Sequence, residues 1–175
     1  MRSSTRRFGS RIKLAIVALG AIAAMSSCVY GFAGGGLPPH IRTVAILPFD
    51  NQTGEAALTG EIAEAVREAM ERRLGLRLAS EDQADAVVTG TISRYQADDA
   101  LAYQSEGAGA RVTRRLVRIV LSVEIYDRRE DLVLWERGSL TVEGEFDPPE
   151  SERVGRELAL EKLVADIVDG AQSQW

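Results

Sequence analysis

The sequence predicts an α+β fold, a mixed and mostly antiparallel sheet of about four to five strands with two amphipathic helices on one face. Three observations predict it. Two stretches repeat apolar residues at helical spacing, one from about Ala57 to Leu74 and one from Ser151 to about Val168. Two later stretches, Val112–Tyr126 and Leu132–Phe146, carry the alternation of strands. The chain also opens strand, helix, short strand, which implies one parallel crossover, right-handed by default. Helices on a single face of the sheet bury both apolar stripes at once.

The elements follow in order. Ile41–Phe49 (IRTVAILPF) is apolar and β-branched, as a buried strand should be, and Pro48 stops its ladder near the end. Asp50–Gly54 (DNQTG) is turn chemistry. In the first helix Leu58, Ile62, Ala65, Val66, Ala69 and Leu74 point inward. Leu76–Ala79 is a short strand, and Glu81–Asp85 an acidic turn. Ala86–Tyr95 is a strand broken by Gly90, and the polar, small residues of Asp98–Gly109 predict a flexible loop. In the longest strand Val117, Ile119, Leu121, Val123 and Ile125 share one face, with Arg118, Ser122 and Glu124 on the other. Asp127–Asp131 makes a charged hairpin turn. Its partner strand sets Leu132, Leu134, Leu140 and Val142 on one face. Asp147-Pro148-Pro149 ends that strand, and Ser151 is the N-cap of the second helix, with Leu160, Leu163, Val164 and Ile167 inward.

The amino end reads as an export address. Arg2, Arg6, Arg7, Arg11 and Lys13 precede Leu14–Met25, an uncharged apolar run of 12 residues. That is the basic, apolar, small-residue order of a secretory signal. A bilayer span needs about 20 apolar residues, so a cleaved signal is favoured over an uncleaved anchor. Met25-Ser26-Ser27-Cys28 resembles a bacterial lipobox, and Cys28 is the sole cysteine. The competing reading is a stray cysteine beside an ordinary cleavage site. Acyl chains on Cys28 would anchor the protein, each buried CH₂ contributing about 0.8 kcal/mol. Val29 follows, where enterobacterial sorting would place Asp for inner-membrane retention, so the expected address is the periplasmic leaflet of the outer membrane. The organisation is then signal peptide 1–27, lipidated cysteine and Gly/Pro tether 28–39, and a single domain 40–175. The mature chain of 148 residues is long enough to bury its own core.

Composition excludes more than it assigns. Without the five basic groups of the signal, 16 basic residues face 26 acidic ones, a net charge of −10. So acidic a body repels nucleic acid outside a local basic patch. One Cys and one His leave no material for a disulfide framework or a Cys/His zinc site, and they weigh against a His-based triad. His40 reads as structural, and Gly34–Gly36 lacks the Lys and Ser/Thr of a phosphate loop. The expectation is a protein that is not an enzyme and carries no cofactor, metal or catalytic residue. Tyr95, Tyr126, Trp135 and Trp175 read as core or rim. Against the acidic background Arg111, Arg114, Arg115 and Arg118 cluster at the start of the longest strand. Arginine binds phosphate bidentately, so an anion site is one reading and a charged, protected strand end the other. Alternation sends Arg114 and Arg118 one way and Arg111 and Arg115 the other.

The run CVYGFAGGGLPPHIRTVAILPFDNQTGE, then ADAVVTGTISRY, then LVLWERGSLTVEGEF, resembles the LptE family of lipopolysaccharide-assembly lipoproteins. The similarity is strongest in Cys28–Glu55, where lipidated Cys, aromatic-Gly segment, Leu-Pro-Pro turn and first strand occur in order. The resemblance implies a sheet with two helices held inside an outer-membrane β-barrel partner, LptD-like, the pair inserting lipopolysaccharide into the outer leaflet. It implies a plug and assembly factor. VAILPFDNQTG departs from the enterobacterial form, so only Cys28 is carried over. The same segment also resembles curli-secretion pore lipoproteins and lipoproteins that activate peptidoglycan synthases. The tether of about nine residues favours work close to the membrane.

Overall fold

A computed structural model describes residues 36–106 and 109–173. Cys28, the signal segment and Trp175 lie outside the described residues. The elements are β1 (Thr43–Ile46), β2 (Asp50–Asn51), α1 (Ala57–Arg72), β3 (Arg77–Leu78), β4 (Ala86–Glu106), β5 (Gly109–Asp127), β6 (Leu132–Phe146) and α2 (Glu152–Ser173). The sheet runs β3-β1-β4-β5-β6, with β2 pairing β4 beyond the end of β1. β1 is parallel to β3 and to β4, and β2 is parallel to β4. β4, β5 and β6 form two antiparallel pairs.

The fold class is therefore the expected one, with six strands in place of four or five. The extra strand comes from Pro48, which cannot donate to a ladder. The expected strand 41–49 stops at Ile46, and pairing resumes at Asp50 and Asn51, inside the expected turn.

One hydrophobic cluster lies between the sheet and both helices. Leu58, Ile62, Val66 and Met70 enter it from α1, and Ala159, Leu163, Ile167 and Ala171 from α2. Val44, Val88, Ile92, Val117, Ile119, Leu121, Val123 and Ile125 meet them from the sheet. On the helix-free face Ala45, Ala84 and Val87 form a small cluster, with Leu47 and Ala79 packed against it. Two close approaches set the spacing. A Cβ on Gly144 of β6 would lie 1.7 Å from the Gly155 carbonyl oxygen of α2, so the two glycines bring helix and strand together. Phe49 packs over Gly90 in the same way, and β4 runs through Gly90 without the expected break.

Two further expectations are corrected. The stretch expected as a loop, Asp98–Gly109, is strand as far as Glu106 and strand again from Gly109. Main-chain pairing with β5 sustains it without an apolar face. Register shifts at Ile92/Arg94, Gln96/Asp99, Ala100/Ala102 and Ala102/Tyr103 broke the period-two signal. β6 pairs β5 only as far as Arg115. Residues 101–106 and 109–114 thus form a two-stranded arm about 20 Å long at ~3.3 Å per residue. In β6, Leu132 is 37% exposed and not inward. Tyr126 opposes Val133 and Ile125 opposes Trp135, which leaves Leu134 as an extra residue and flips the face. Leu134, Trp135 and Val142 are buried, and Leu140 is partly buried against the core.

Candidate functional site

The arginines singled out in the sequence all lie on β5, at the root and along the arm. β5 is the central antiparallel strand, and its alternation places Val117 and Ile119 in the core. Arg118 therefore stands on the open face, level with Gln96 of β4 and Glu143 of β6. Its Nε donates to Glu143 Oε1 at 2.7 Å, and its Nη1 lies 3.4 Å from Gln96 Oε1 and 3.7 Å from Asp99 Oδ2. Arg114 is held more loosely, with Nη1 3.4 Å from Glu145 Oε2 and Nε 3.6 Å from Asp147 Oδ1. Arg115 is level with Phe146 and Ala100, and Arg111 is exposed opposite Gln104.

The four are near neighbours but not equivalent. Carboxylates of β6 and the following turn already face Arg114 and Arg118. Exposed pairs of this kind contribute about 0–1 kcal/mol, so a phosphate can displace the carboxylate at Arg114 at small cost. Arg118, with one short bond and two longer contacts, is the most fixed. Chemically the strand can gather anionic oxygens.

His40 and Asp127 form a pair that sequence reasoning missed. His40 Nε2 lies 2.5 Å from Asp127 Oδ2. The fully buried Asp127 also accepts the backbone N–H groups of Arg129 at 2.7 Å and Glu130 at 3.1 Å. Burial alone would raise this carboxyl, but the Glu130 N–H, the His40 ring and the Arg129 N–H outweigh it and hold it below the usual range. Asp85 does the same work next door. It accepts the N–H groups of Arg42 and Thr43 at 3.0 Å each and the Thr43 hydroxyl at 2.8 Å, and lies 3.2 Å from Arg129 Nη2. The Arg42 N–H first, then the Thr43 hydroxyl, hold it low. The two aspartates clamp the chain's entry into β1 onto the β5–β6 turn. His40, read in the sequence as structural, pairs with Asp127, a contact that could not be read from a lone histidine.

A second network binds the layers. Arg156 of α2 faces Glu61 of α1 at 3.1 Å, Glu152 at 3.7 Å and Glu55 at 3.9 Å. The Tyr95 hydroxyl of β4 donates to Glu152. Burial, then the Glu152 carboxylate, push the Tyr95 hydroxyl well up. Among the described residues no group of three or more His, Cys, Asp or Glu could hold a metal ion. No helix there is long and apolar enough to cross a membrane.

Comparison with known proteins agrees with this architecture. The model of the LptE family, described as lipopolysaccharide-assembly, matches residues 41–173. Solved structures share the fold at low identity. Protein XCC0632 from Xanthomonas campestris matches with a TM-score of 0.51 at 15% identity, over 76% of this chain and 87% of that one. PelC from Paraburkholderia phytofirmans, solved as a dodecamer, matches with a TM-score of 0.50 at 15% identity, over 79% and 95%. The hypothetical protein CT253 from Chlamydia trachomatis matches with a TM-score of 0.50 at 12% identity, over 74% and 97%. The search of curated proteins found no match.

Proposed function

The chain belongs to the LptE lipopolysaccharide-assembly family, and from that membership we propose that it is a non-enzymatic outer-membrane lipoprotein that assists lipopolysaccharide transport. In this reading Cys28 carries the acyl anchor in the periplasmic leaflet. The folded domain is the plug and assembly partner of an LptD-like β-barrel, and the pair inserts lipopolysaccharide into the outer leaflet. The observation that carries the reading is the family match across residues 41–173, nearly the whole domain. The chemistry of the domain is in keeping with a scaffold. Its His40–Asp127 pair ties the chain's entry into β1 to the end of β5.

Arg111, Arg114, Arg115 and Arg118 are the proposed contact for the phosphates of lipopolysaccharide. Arg111 is exposed, and Arg114 holds its carboxylates at 3.4–3.6 Å, where an incoming phosphate competes well. Depletion of the protein from growing cells tests the reading. Newly made lipopolysaccharide should stop reaching the cell surface while its synthesis continues. Undiminished arrival at the surface after depletion would overturn it.

A further inference from the structure

β6 is bulged where it passes the end of α2. Arg137 is level with Val123 and Leu140 with Leu121, so Gly138 and Ser139 stand against Ser122 alone. A bulge of this kind re-aims the side chains beside it. Val123 is a core residue, so Arg137 stands on the helix side of β6, two places after Trp135. There it shares an open cleft of about 440 Å³ with Ser139, Leu140, Asp166, Asp169 and Ser173. Charges of opposite sign line this cleft without meeting. Among the described residues no ion pair joins Arg137, Asp166 or Asp169 to any other group. Lys162, one turn before Asp166, is held by the Glu143 carbonyl oxygen at 2.7 Å. Glu136 is level with Glu124, on the helix-free face. The last turn of α2 has no basic side chain, so its carbonyl end adds to the negative wall. Beside the cleft lies one more polar group. A Cβ on Gly170, which also lines the cleft, would lie 2.2 Å from the Trp135 indole nitrogen, so the indole rests on bare backbone. Trp135 is 4% exposed, and among the described residues nothing accepts its N–H. Among them no buried polar side-chain atom is left unpaired, so that N–H opens to the surface beside Gly170.

We propose that the cleft between the β6 bulge and the end of α2 binds a small zwitterion, a molecule with an ammonium group and an oxyanion a few bonds apart. Asp166 and Asp169 take the ammonium, and Arg137 takes the oxyanion in charge-assisted hydrogen bonds. The indole N–H is a further donor at the same place. A bare anion would meet the two carboxylates, and a bare cation would meet Arg137. A ligand carrying both signs satisfies both walls. Two sources share that chemistry, a free amino acid and the ethanolamine phosphate headgroup of a lipid. The cleft is separate from the arginines of β5, and the proposal does not depend on the lipopolysaccharide reading.

Trp135 and Trp175 are the two tryptophans, so the full chain with Trp175→Phe gives a single indole N–H signal in nitrogen-15 NMR. Titration with glycerophosphoethanolamine, and separately with glycine, should move that signal saturably. Tighter binding of the first assigns a lipid headgroup, and tighter binding of the second a free amino acid. Ethanolamine alone and inorganic phosphate alone should each bind at least about tenfold more weakly, since each lacks one set of charged hydrogen bonds. Arg137→Gln, and Asp166→Asn with Asp169→Asn, should each weaken zwitterion binding by a similar factor. Circular dichroism and melting of these variants should match the parent, because the changed side chains are exposed. No saturable shift with either zwitterion would overturn the proposal. So would unchanged affinity in the folded variants, or inorganic phosphate binding as tightly as the zwitterions, which would make the cleft a site for an adventitious ion only.

Discussion

Asp127 is a buried carboxylate with every neighbour accounted for, and its removal has a calculable cost. Asp127→Ala strands the N–H groups of Arg129 and Glu130 and releases His40. Hydrogen bonds to a charged group contribute about 1.5–3 kcal/mol, so urea unfolding should show a loss of that order. His40→Ala removes one partner of three and should cost less. The pH dependence follows from the same groups. Asp127 and Asp85 both have carboxyls held below the ordinary value in the folded state. Their contribution is complete above the unfolded value of about 3.9 and is lost as pH falls through the folded values. Urea midpoints measured downward from pH 7 should stay level and then fall below about pH 4. Asp85→Asn with Asp127→Asn should be less stable at pH 7 and flatten that fall. Among the arginines, Gln is the informative replacement. Glu at 114 or 118 would face Glu145, Asp147 or Glu143 and unsettle the sheet by like-charge repulsion. Arg111→Gln with Arg114→Gln should weaken lipopolysaccharide binding several-fold in a binding titration and leave the melting temperature within a degree or so, as surface changes do. Unchanged affinity would return both residues to edge protection.

At the scale of elements, the helix–sheet contact is the most sensitive part. Gly144→Ala drives a methyl into the Gly155 carbonyl, and strand and helix must separate to admit it. A loss of about 1–3 kcal/mol, as for overpacking elsewhere, is the expected result in thermal unfolding. Leu163, fully buried between α2 and the sheet, should cost about 2–5 kcal/mol as Leu163→Ala. Leu121→Asp should unfold the domain, because its charge would lie unpaired in the core. The same scale shows what was legible in the sequence. α1 was clear because Leu58, Ile62 and Val66 fall every fourth residue, and the core face of β5 was clear because Val117 to Ile125 alternate without interruption. β6 was half legible, since one extra residue at Leu134 reversed the face for Leu132. The arm was hidden because register shifts along β4 erased its period. The clamp of Asp85 and Asp127 was illegible for another reason. His40 and Asp127 are 87 residues apart, and only the parallel placement of β1 beside β4 brings them together.

The whole molecule carries opposite charges in its two parts, a basic amino end and a body of net −10. An acidic domain does not adhere to an anionic membrane by itself. In the proposed reading its place at the membrane comes from Cys28, and Cys28→Ser should move the protein from the membrane to the soluble fraction on cell fractionation. Continued retention would show an uncleaved anchor or a partner strong enough to hold it. Partnership with a barrel is the central claim of the proposed reading, which rests on membership in the LptE family. The most direct measurement is to purify the lipidated protein from solubilised outer membranes and identify what comes with it. The account predicts a large β-barrel protein at equal stoichiometry. Recovery of a homo-oligomer alone, or of a peptidoglycan synthase, would contradict it.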